Sequence, residues 1–431
     1  LKIIPRDQHC ISRKNISDGA LKVMSRLRGS GHQAYLVGGA VRDLLLGGHP
    51  KDFDIATDAT PETVHALFRN SRIIGRRFRI VHVRFGREII EVTTFRGHHD
   101  NDSEPTSESG GNHSRQSASG LLLRDNVYGT LEEDAVRRDL TVNALYYDAG
   151  NFEVFDHVHG LKDLERRSIS IIGEPAVRFT EDPVRMLRVL RFAAKLQFSI
   201  DPHTARAIPA CAHLLAEIPA ARLFDEFLKL FLAGYAAATL EQLLKHDLLR
   251  YLFPDSNEQM HRHPTALALV RAAMVSTDQR MAQDKPVTPA FILAALLWPE
   301  VQHRAQLLQE RGDPPIPAMH HASQQAIADA ARNIAIPRRF SQPMREIWEF
   351  QLRLQNRRGR KAAELVDHRR FRAAYDFLLL REQAGEETGD LGSWWTDFQQ
   401  LPMDQRLQQA AQESGPQGGR RSRGRRSSKK A

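Results

Sequence analysis

Two aspartates separated by a single phenylalanine, Asp52 and Asp54 in KDFDIAT, are the residues of this chain best spaced for chemistry. Side chains alternate along a β-strand, so DFD places both carboxylates on one face and Phe53 on the other. Two such charges repel unless a cation lies between them. Mg2+ suits the pair, because it takes hard oxygen ligands and keeps waters that a substrate phosphate can replace. A third carboxylate would complete the set, and Glu91 in REIIEVTTF, a predicted strand of the same domain, is the candidate. The same spacing also occurs at strand ends and solvated turns, so the pair alone leaves both readings open.

Three further segments carry groups that a nucleotide would need. Gly38 and Gly39 follow the apolar strand YLV and lead into a helix, where backbone amides can approach phosphate oxygens. Arg42 in the first turns adds a forked donor. Neither a GxGxxG fingerprint nor a Walker A sequence is present. EEDAVRRDLTVNALYY gathers Arg137, Arg138, Asp139 and Asn143, which combine phosphate donors with ribose or base-edge partners; surface salt bridges would account for one or two of them. In EDPVRMLRVLRF, Glu181 and Asp182 precede a helix that Pro183 can open, and Arg185, Arg188 and Arg191 recur at a spacing of three. Asp182 and Arg185, one turn apart, could hydrogen-bond each other and face a nucleobase edge; the alternative is a solvated basic row.

The elements that must position these groups are legible in outline. A loop-like start runs into a helix at ISDGALKVMSRLRGSG, then come a strand at QAYLVGG, a short helix VRDLLLGG stopped by Gly47 and Gly48, and a strand at DFDIAT. A helix at PETVHALFRN, alternating runs at RIVHVRFG and REIIEVTTF, and a hairpin at LYYDAGNFEVFDHVHG complete a small mixed α/β domain. Residues 98–120 are polar and read as a mobile inserted loop, whose histidines are too irregularly spaced for a metal site. From about Asp182 the apolar period becomes helical, with turns near Asp201, Pro254, Gly312 to Pro317 and Pro337, and no strand signal returns.

Composition narrows the class. With 41% hydrophobic and 26% charged residues, the chain has no apolar run long enough for a bilayer, and LKIIPRDQHC lacks the core of a secretory signal. It has no initiator Met, which leaves a preceding leader open. Cys10 and Cys211 are too few for a disulfide scaffold and suit a reducing cytoplasm. Of the net charge of +9, seven positive charges lie in residues 420–431, leaving about +2 for the rest. Such a tail cannot form a core, and its ligand is a polyanion: RNA, DNA or an anionic membrane surface. Residues 338–372 are also arginine-rich, with Trp348 and Phe371 interspersed; this is an RNA-phosphate surface or a solvated face over core aromatics.

In their order and separations, LVGGAVRDLLLGGHPKDFDIAT, EEDAVRRDLTVNALYY and EDPVRMLRVLRFAAKL resemble the bacterial branch of the polymerase-beta-like nucleotidyltransferases, which comprises poly(A) polymerases and CCA-adding tRNA nucleotidyltransferases. The later RRFSQPMREIWEFQLRLQNRRGRKAAELVDHRRFRAAYDFLLLR and the basic tail are most similar to the proteobacterial poly(A) polymerases. The resemblance implies an α+β fold with a nucleotidyltransferase head on a small mixed sheet, followed by an elongated all-helical region. It places the head at 1–170, a nucleotide-recognition neck at 171–250, an RNA-binding body at 251–410 and a disordered basic tail at 411–431. It implies ATP as substrate, a two-Mg2+ site on Asp52 and Asp54 with Glu91 beside it, and RNA 3′ ends as acceptors. Gly38, Gly39 and Arg42 would lie near the triphosphate, Arg138, Asp139 and Asn143 would hold ribose and phosphates, and Asp182 and Arg185 would contact the base. A cytoplasmic monomer visited by RNA-decay proteins is the matching expectation. A CCA-adding enzyme and a non-catalytic RNA-binding protein on the same fold are the alternatives.

Overall fold

The computed structural model describes residues 1–75, 79–97 and 127–413, together with the backbone of 115–116 and 122–124. The chain divides into two compact units, Leu1–Glu226 with Ala238–Tyr251, and Phe227–Ala237 with Leu252–Ala431.

The first unit opens with β1 (Lys2–Ile4) and α1 (Asp18–Gly29). Ser17 caps α1 by accepting the Ala20 amide at 3.1 Å, and the helix buries Val23, Met24 and Leu27 on one stripe. There follow β2 (Ala34–Val37), α2 (Gly39–Leu45), β3 (Asp54–Thr57), α3 (Pro61–Leu67), β4 (Ser71–Ile74), β5 (Ile80–Phe85) and β6 (Glu88–Thr94). β7 (Arg115–Gln116) pairs with β8 (Leu122–Arg124). The remainder of the expected mobile loop lies outside the described residues. Next come α4 (Leu131–Arg137), opened by a reciprocal Thr130–Glu133 capping box, and the hairpin of β9 (Leu145–Asp148) and β10 (Glu153–Asp156). α5 (Gly160–Arg166), β11 (Ser168–Ile169), α6 (Pro175–Glu181), α7 (Val184–Leu196), β12 (Ser199–Ile200) and α8 (Pro202–Cys211) lead to α9 (Ala220–Phe231), α10 (Ala236–Lys245) and α11 (Leu249–Leu252).

Eight strands form one mixed sheet in the order β1-β10-β9-β2-β3-β6-β5-β4. Only β3 and β6 run parallel within it, and that pairing sets Asp54 beside Glu91. Three expectations need correction. The opening residues are not all loop, because Lys2–Ile4 pairs with β10; three residues are too few to show a period. A strand also returns after Asp182: β12 pairs in parallel with β11, which lies just before the helical stretch. Finally, Asp52 is not in a strand: β3 begins at Asp54, and the connector carrying Pro50 and Lys51 ends just before it.

The described part of the second unit is helical: α12 (Pro254–Arg262), α13 (Pro264–Ala282), α14 (Pro289–Glu310), α15 (Pro315–Asn333), α16 (Arg338–Leu354), α17 (Gly359–Leu365), α18 (Phe371–Gln383), α19 (Leu391–Phe398) and α20 (Met403–Gln412). α14 is buried from Ile292 through Val301, which explains the all-round apolar FILAALLW. Trp348 and Phe371 belong to the core, so neither is a surface for base stacking. The Trp348 indole donates to the Ala294 carbonyl at 3.1 Å, the partner that a buried indole needs. Around them Arg353, Arg357, Arg360, Arg369, Arg370 and Arg372 pair with acids, whereas Arg338, Arg345, Arg358 and Lys361 have no acidic partner among the described residues.

Candidate active site

Asp52, Asp54 and Glu91 lie close enough at the start of β3 for their charges to interact. Asp54 stands opposite Val37 of β2 on one side and opposite Glu91 of β6 on the other. Burial, then the Glu91 charge, push its carboxyl up to about 6; Arg138 opposes this shift and Asp52 adds to it. Phe53 is buried at 5% exposure while Asp52 is exposed. The alternation expected of DFD therefore persists locally although Asp52 precedes the strand. Among the described residues no group of three or more His, Cys, Asp or Glu side chains stands in a metal-holding arrangement. Burial and like charge together hold Asp54 near 6, and a divalent cation would offset both by favouring the ionised form.

Glycine is required at the turn above them. Gly38 has φ +76°, and a Cβ there would stand 3.7 Å from Arg138 Nη1 and 3.8 Å from Asp54 Oδ2. Arg138 is held from behind: its Nε donates to Asp134 at 3.1 Å and to the Tyr146 hydroxyl at 2.9 Å, and its Nη2 also reaches Asp134. Tyr146 in turn donates to Asp134 at 2.6 Å. This buried triad leaves Arg138 Nη1 directed towards Gly38 and Asp54. Arg42 is 1% exposed; its Nε donates to Asp43 at 2.8 Å, its Nη1 donates to the Asn143 amide oxygen, and its guanidinium lies 5.2 Å from the Phe192 ring centre. Gly39 sits against the same guanidinium, its Cβ position 3.4 Å from Nη2.

The remaining site residues form a second polar layer. Asp139 accepts from Arg188 Nε and from the Leu140 amide. Burial alone would raise its carboxyl, but the Arg188 guanidinium, the Leu140 amide and the Arg185 charge together outweigh burial and hold it at about 2. Arg178 of α6 donates to the carbonyls of Arg137 at 2.6 Å and Arg138 at 2.7 Å, and to Glu181 at 2.8 Å. Asp182 and Arg185 do not pair through their side chains as the one-turn spacing predicts. Their backbones are joined, the Arg185 amide donating to the Asp182 carbonyl at 2.9 Å. The Asp182 carboxylate accepts from Arg222 at 2.6 Å instead, and Arg185 donates to Glu181 and to the Arg178 carbonyl. Asp182 caps the end of α6 with an extended backbone, which turns its side chain towards α9 and away from α7. One carboxylate oxygen of Asp182 is buried with no partner. Of the basic row, Arg188 and Arg191 lie over Phe192, and Lys195 is 3.8 Å from Asp43.

Asp134, Tyr146, Arg178 and Arg222 were not singled out by sequence reasoning. Asp134 had a signal, standing four residues before Arg138 on one helix. Arg178 had none, since its partners include backbone carbonyls brought near only by the fold.

A poly(A) polymerase I of Salmonella typhimurium is 48% identical over 404 residues, covering 93% of this chain and 86% of that protein. The chain belongs to the bacterial poly(A) polymerase I family. Residues 34–170 match the family described as "Poly A polymerase head domain", 197–260 that described as "Probable RNA and SrmB- binding site of polymerase A", and 311–430 that described as "Polymerase A arginine-rich C-terminus". A CCA-adding enzyme of Bacillus pumilus is 40% identical over 233 residues, 54% of each chain. The crystal structure of the Bacillus stearothermophilus CCA-adding enzyme in complex with CTP is 26% identical, covers 90% of this chain and 82% of its own, and superposes with a TM-score of 0.54. The likeness to the poly(A) polymerases thus runs almost end to end, while the sequence match to the CCA-adding enzyme spans half of the chain.

Proposed function

We propose that this protein carries out its family's reaction on the three-carboxylate site of its head: it is a template-independent adenylyltransferase that adds AMP from ATP to RNA 3′-hydroxyl ends and releases pyrophosphate. The observation that carries the reading is the 48% identity over nearly the whole chain to poly(A) polymerase I. The local support is the convergence of Asp54, Glu91 and Asp52 beside a glycine turn and a fixed arginine.

Asp52 and Asp54, with Glu91 next to them, would hold Mg2+. When bound, the metal supplies activation of the 3′-hydroxyl and neutralises charge on the departing pyrophosphate. Gly38 leaves room for a phosphate against the backbone, and Arg138 Nη1 supplies a donor whose direction is set by Asp134 and Tyr146. Asn143 fixes Arg42, and Asp139 fixes Arg188, so each serves the triphosphate by holding a cation in place. Asp182 has an open, buried acceptor oxygen suited to an exocyclic amino group, and Arg185 adds donors beside it. Direct attack by RNA needs no protein nucleophile, consistent with two free cysteines remote in sequence from these motifs.

RNA is held in part by the unpaired basic residues of α16 and α17 and by the tail, through phosphate contacts that accept many sequences. Among the described residues no helix is long and apolar enough to cross a membrane. A cytoplasmic monomer is the proposed working state. The test is incubation of the purified protein with Mg2+, a short end-labelled RNA and each nucleoside triphosphate in turn. A long ladder with ATP alone supports the reading. Ordered addition that stops after CCA on a tRNA lacking its end would replace it with the CCA-adding activity, and no extension at all would leave an RNA-binding protein.

A further inference from the structure

The cross-strand register that sets Asp54 beside Glu91 continues outward. Glu91 pairs with His82 of β5, and His82 pairs with Arg72 of β4, so Asp54, Glu91, His82 and Arg72 form one lateral row on one face of the sheet. Arg84 and Ile89, paired with each other, lie on the same face two residues along. The opposite face of these strands is core: Ile55, Val81, Val83, Ile90 and Val92 are all at most 1% exposed. The row's own face is open, with Arg72 and Arg84 exposed and Ile89 44% exposed. A strand pattern of this kind predicts a solvated face, yet the residues here are not an ordinary solvated mixture. Neither arginine has an acidic partner among the described residues. His82 is 25% exposed, and its Nε2 lies 3.2 Å from Glu91 Oε1, outside hydrogen-bond alignment and with no other partner.

We propose that this open face is where the head holds the last nucleotides of the RNA. Arg72 and Arg84 take phosphates, Ile89 lies under a ribose or base, and His82 positions Glu91 at the reactive end. The inference rests on the reading of the chain as an RNA-extending enzyme and adds a place for the acceptor strand. Two observations favour RNA as the occupant. Unpaired guanidinium groups complement a polyanion, and the row is continuous through its register with the carboxylates at which the 3′-hydroxyl must arrive. The span also fits: three strand spacings from β3 to β4 are about 14 Å, roughly the last four nucleotides at a stacked rise of ~3.4 Å.

The experiment is RNA binding by Arg72→Ala/Arg84→Ala in the full chain, followed by the anisotropy of a 5′-labelled oligoadenylate between about 50 and 200 mM salt. Both side chains are exposed, and a thermal melt checks that the fold is kept. The expected result is at least a tenfold weaker Kd, with the slope of log K against log salt reduced by about 1.4, or ~0.7 for each lost phosphate contact on a single strand. Photoreactive 4-thiouridine near the RNA 3′ end should crosslink to peptides containing β4 or β5. An unchanged Kd and slope, crosslinks confined to other peptides, or a loss of ATP affinity in place of RNA affinity would each overturn the proposal. For His82, Ala should lower turnover at saturating RNA and Gln, which keeps a donor, should restore part of it; equal turnover of His82→Ala and wild type removes the positioning role. A wild-type protein that cannot extend RNA refutes the functional reading, whereas an enzyme that extends RNA but binds it independently of Arg72 and Arg84 refutes this inference alone.

Discussion

Asp54→Asn should make the metal-free protein more stable while removing its activity. The Asp54 carboxyl is pushed from 3.8 to about 6, first by burial and then by Glu91. A raised carboxyl binds its proton more tightly in the folded chain than in the unfolded one. Its contribution to stability is therefore fully present below about pH 4 and is lost as pH rises through about 6. A shift of about two units, at 1.36 kcal/mol each, corresponds to a penalty of about 3 kcal/mol once the group is ionised. Asparagine never ionises, so at pH 8 in the presence of a chelator the variant should exceed wild type by up to about 3 kcal/mol. For a unit of this size that is roughly 6 °C or more in Tm. Below pH 4 the difference should vanish, and Mg2+ should narrow it at pH 8, because the ion stabilises the charged wild-type site and has less to bind in the variant. Thermal and urea melts of both proteins across this pH range, with and without Mg2+, measure the effect. Equal stability at pH 8, or a variant less stable at every pH, would refute the argument that uncompensated charge is stored at Asp54.

Other outcomes follow from the same geometry. Arg185→Ala should weaken discrimination between ATP and the other nucleotides before it affects the melt, which competition between labelled triphosphates would show. Arg222→Ala should act in the same direction through Asp182, leaving a buried carboxylate without its partner at a cost of about 3 kcal/mol in stability. Asp139→Asn should flatten the acid limb of the stability curve: its carboxyl is held at about 2, so the stability it gives is present above about pH 4 and is lost as pH falls towards 2. Removing residues 420–431 should weaken RNA binding and its salt dependence more than it slows addition of a single nucleotide, and unchanged binding would make the tail something other than an RNA contact.

The parts of this molecule legible in sequence are those with strong local signals. The apolar period in ISDGALKVMSRLRGSG marks a helix, Gly47 a helix stop, and the alternation in RIVHVRFG and REIIEVTTF a pair of strands. The motifs supply the candidate polar residues, and the fold assigns them partners that spacing does not reveal. Asp182 and Arg185 read as a pair because they are one turn apart; Arg222, forty residues later, takes the carboxylate, and only tertiary packing could bring it there. Arg42 reads as a free phosphate donor, whereas Asn143, a hundred residues on, shares in burying it. The register that lines up Asp54, Glu91, His82 and Arg72 belongs to four strands whose order no local pattern encodes.

The most direct test of the central claim is single-turnover transfer of AMP from ATP to RNA as Mg2+ is titrated, in wild type, Asp52→Asn and Asp54→Asn. Both variants should fold, with transfer slowed by at least about a thousandfold, corresponding to roughly 4 kcal/mol of lost transition-state stabilisation. Either variant working at the wild-type rate with the wild-type Mg2+ dependence would contradict that claim.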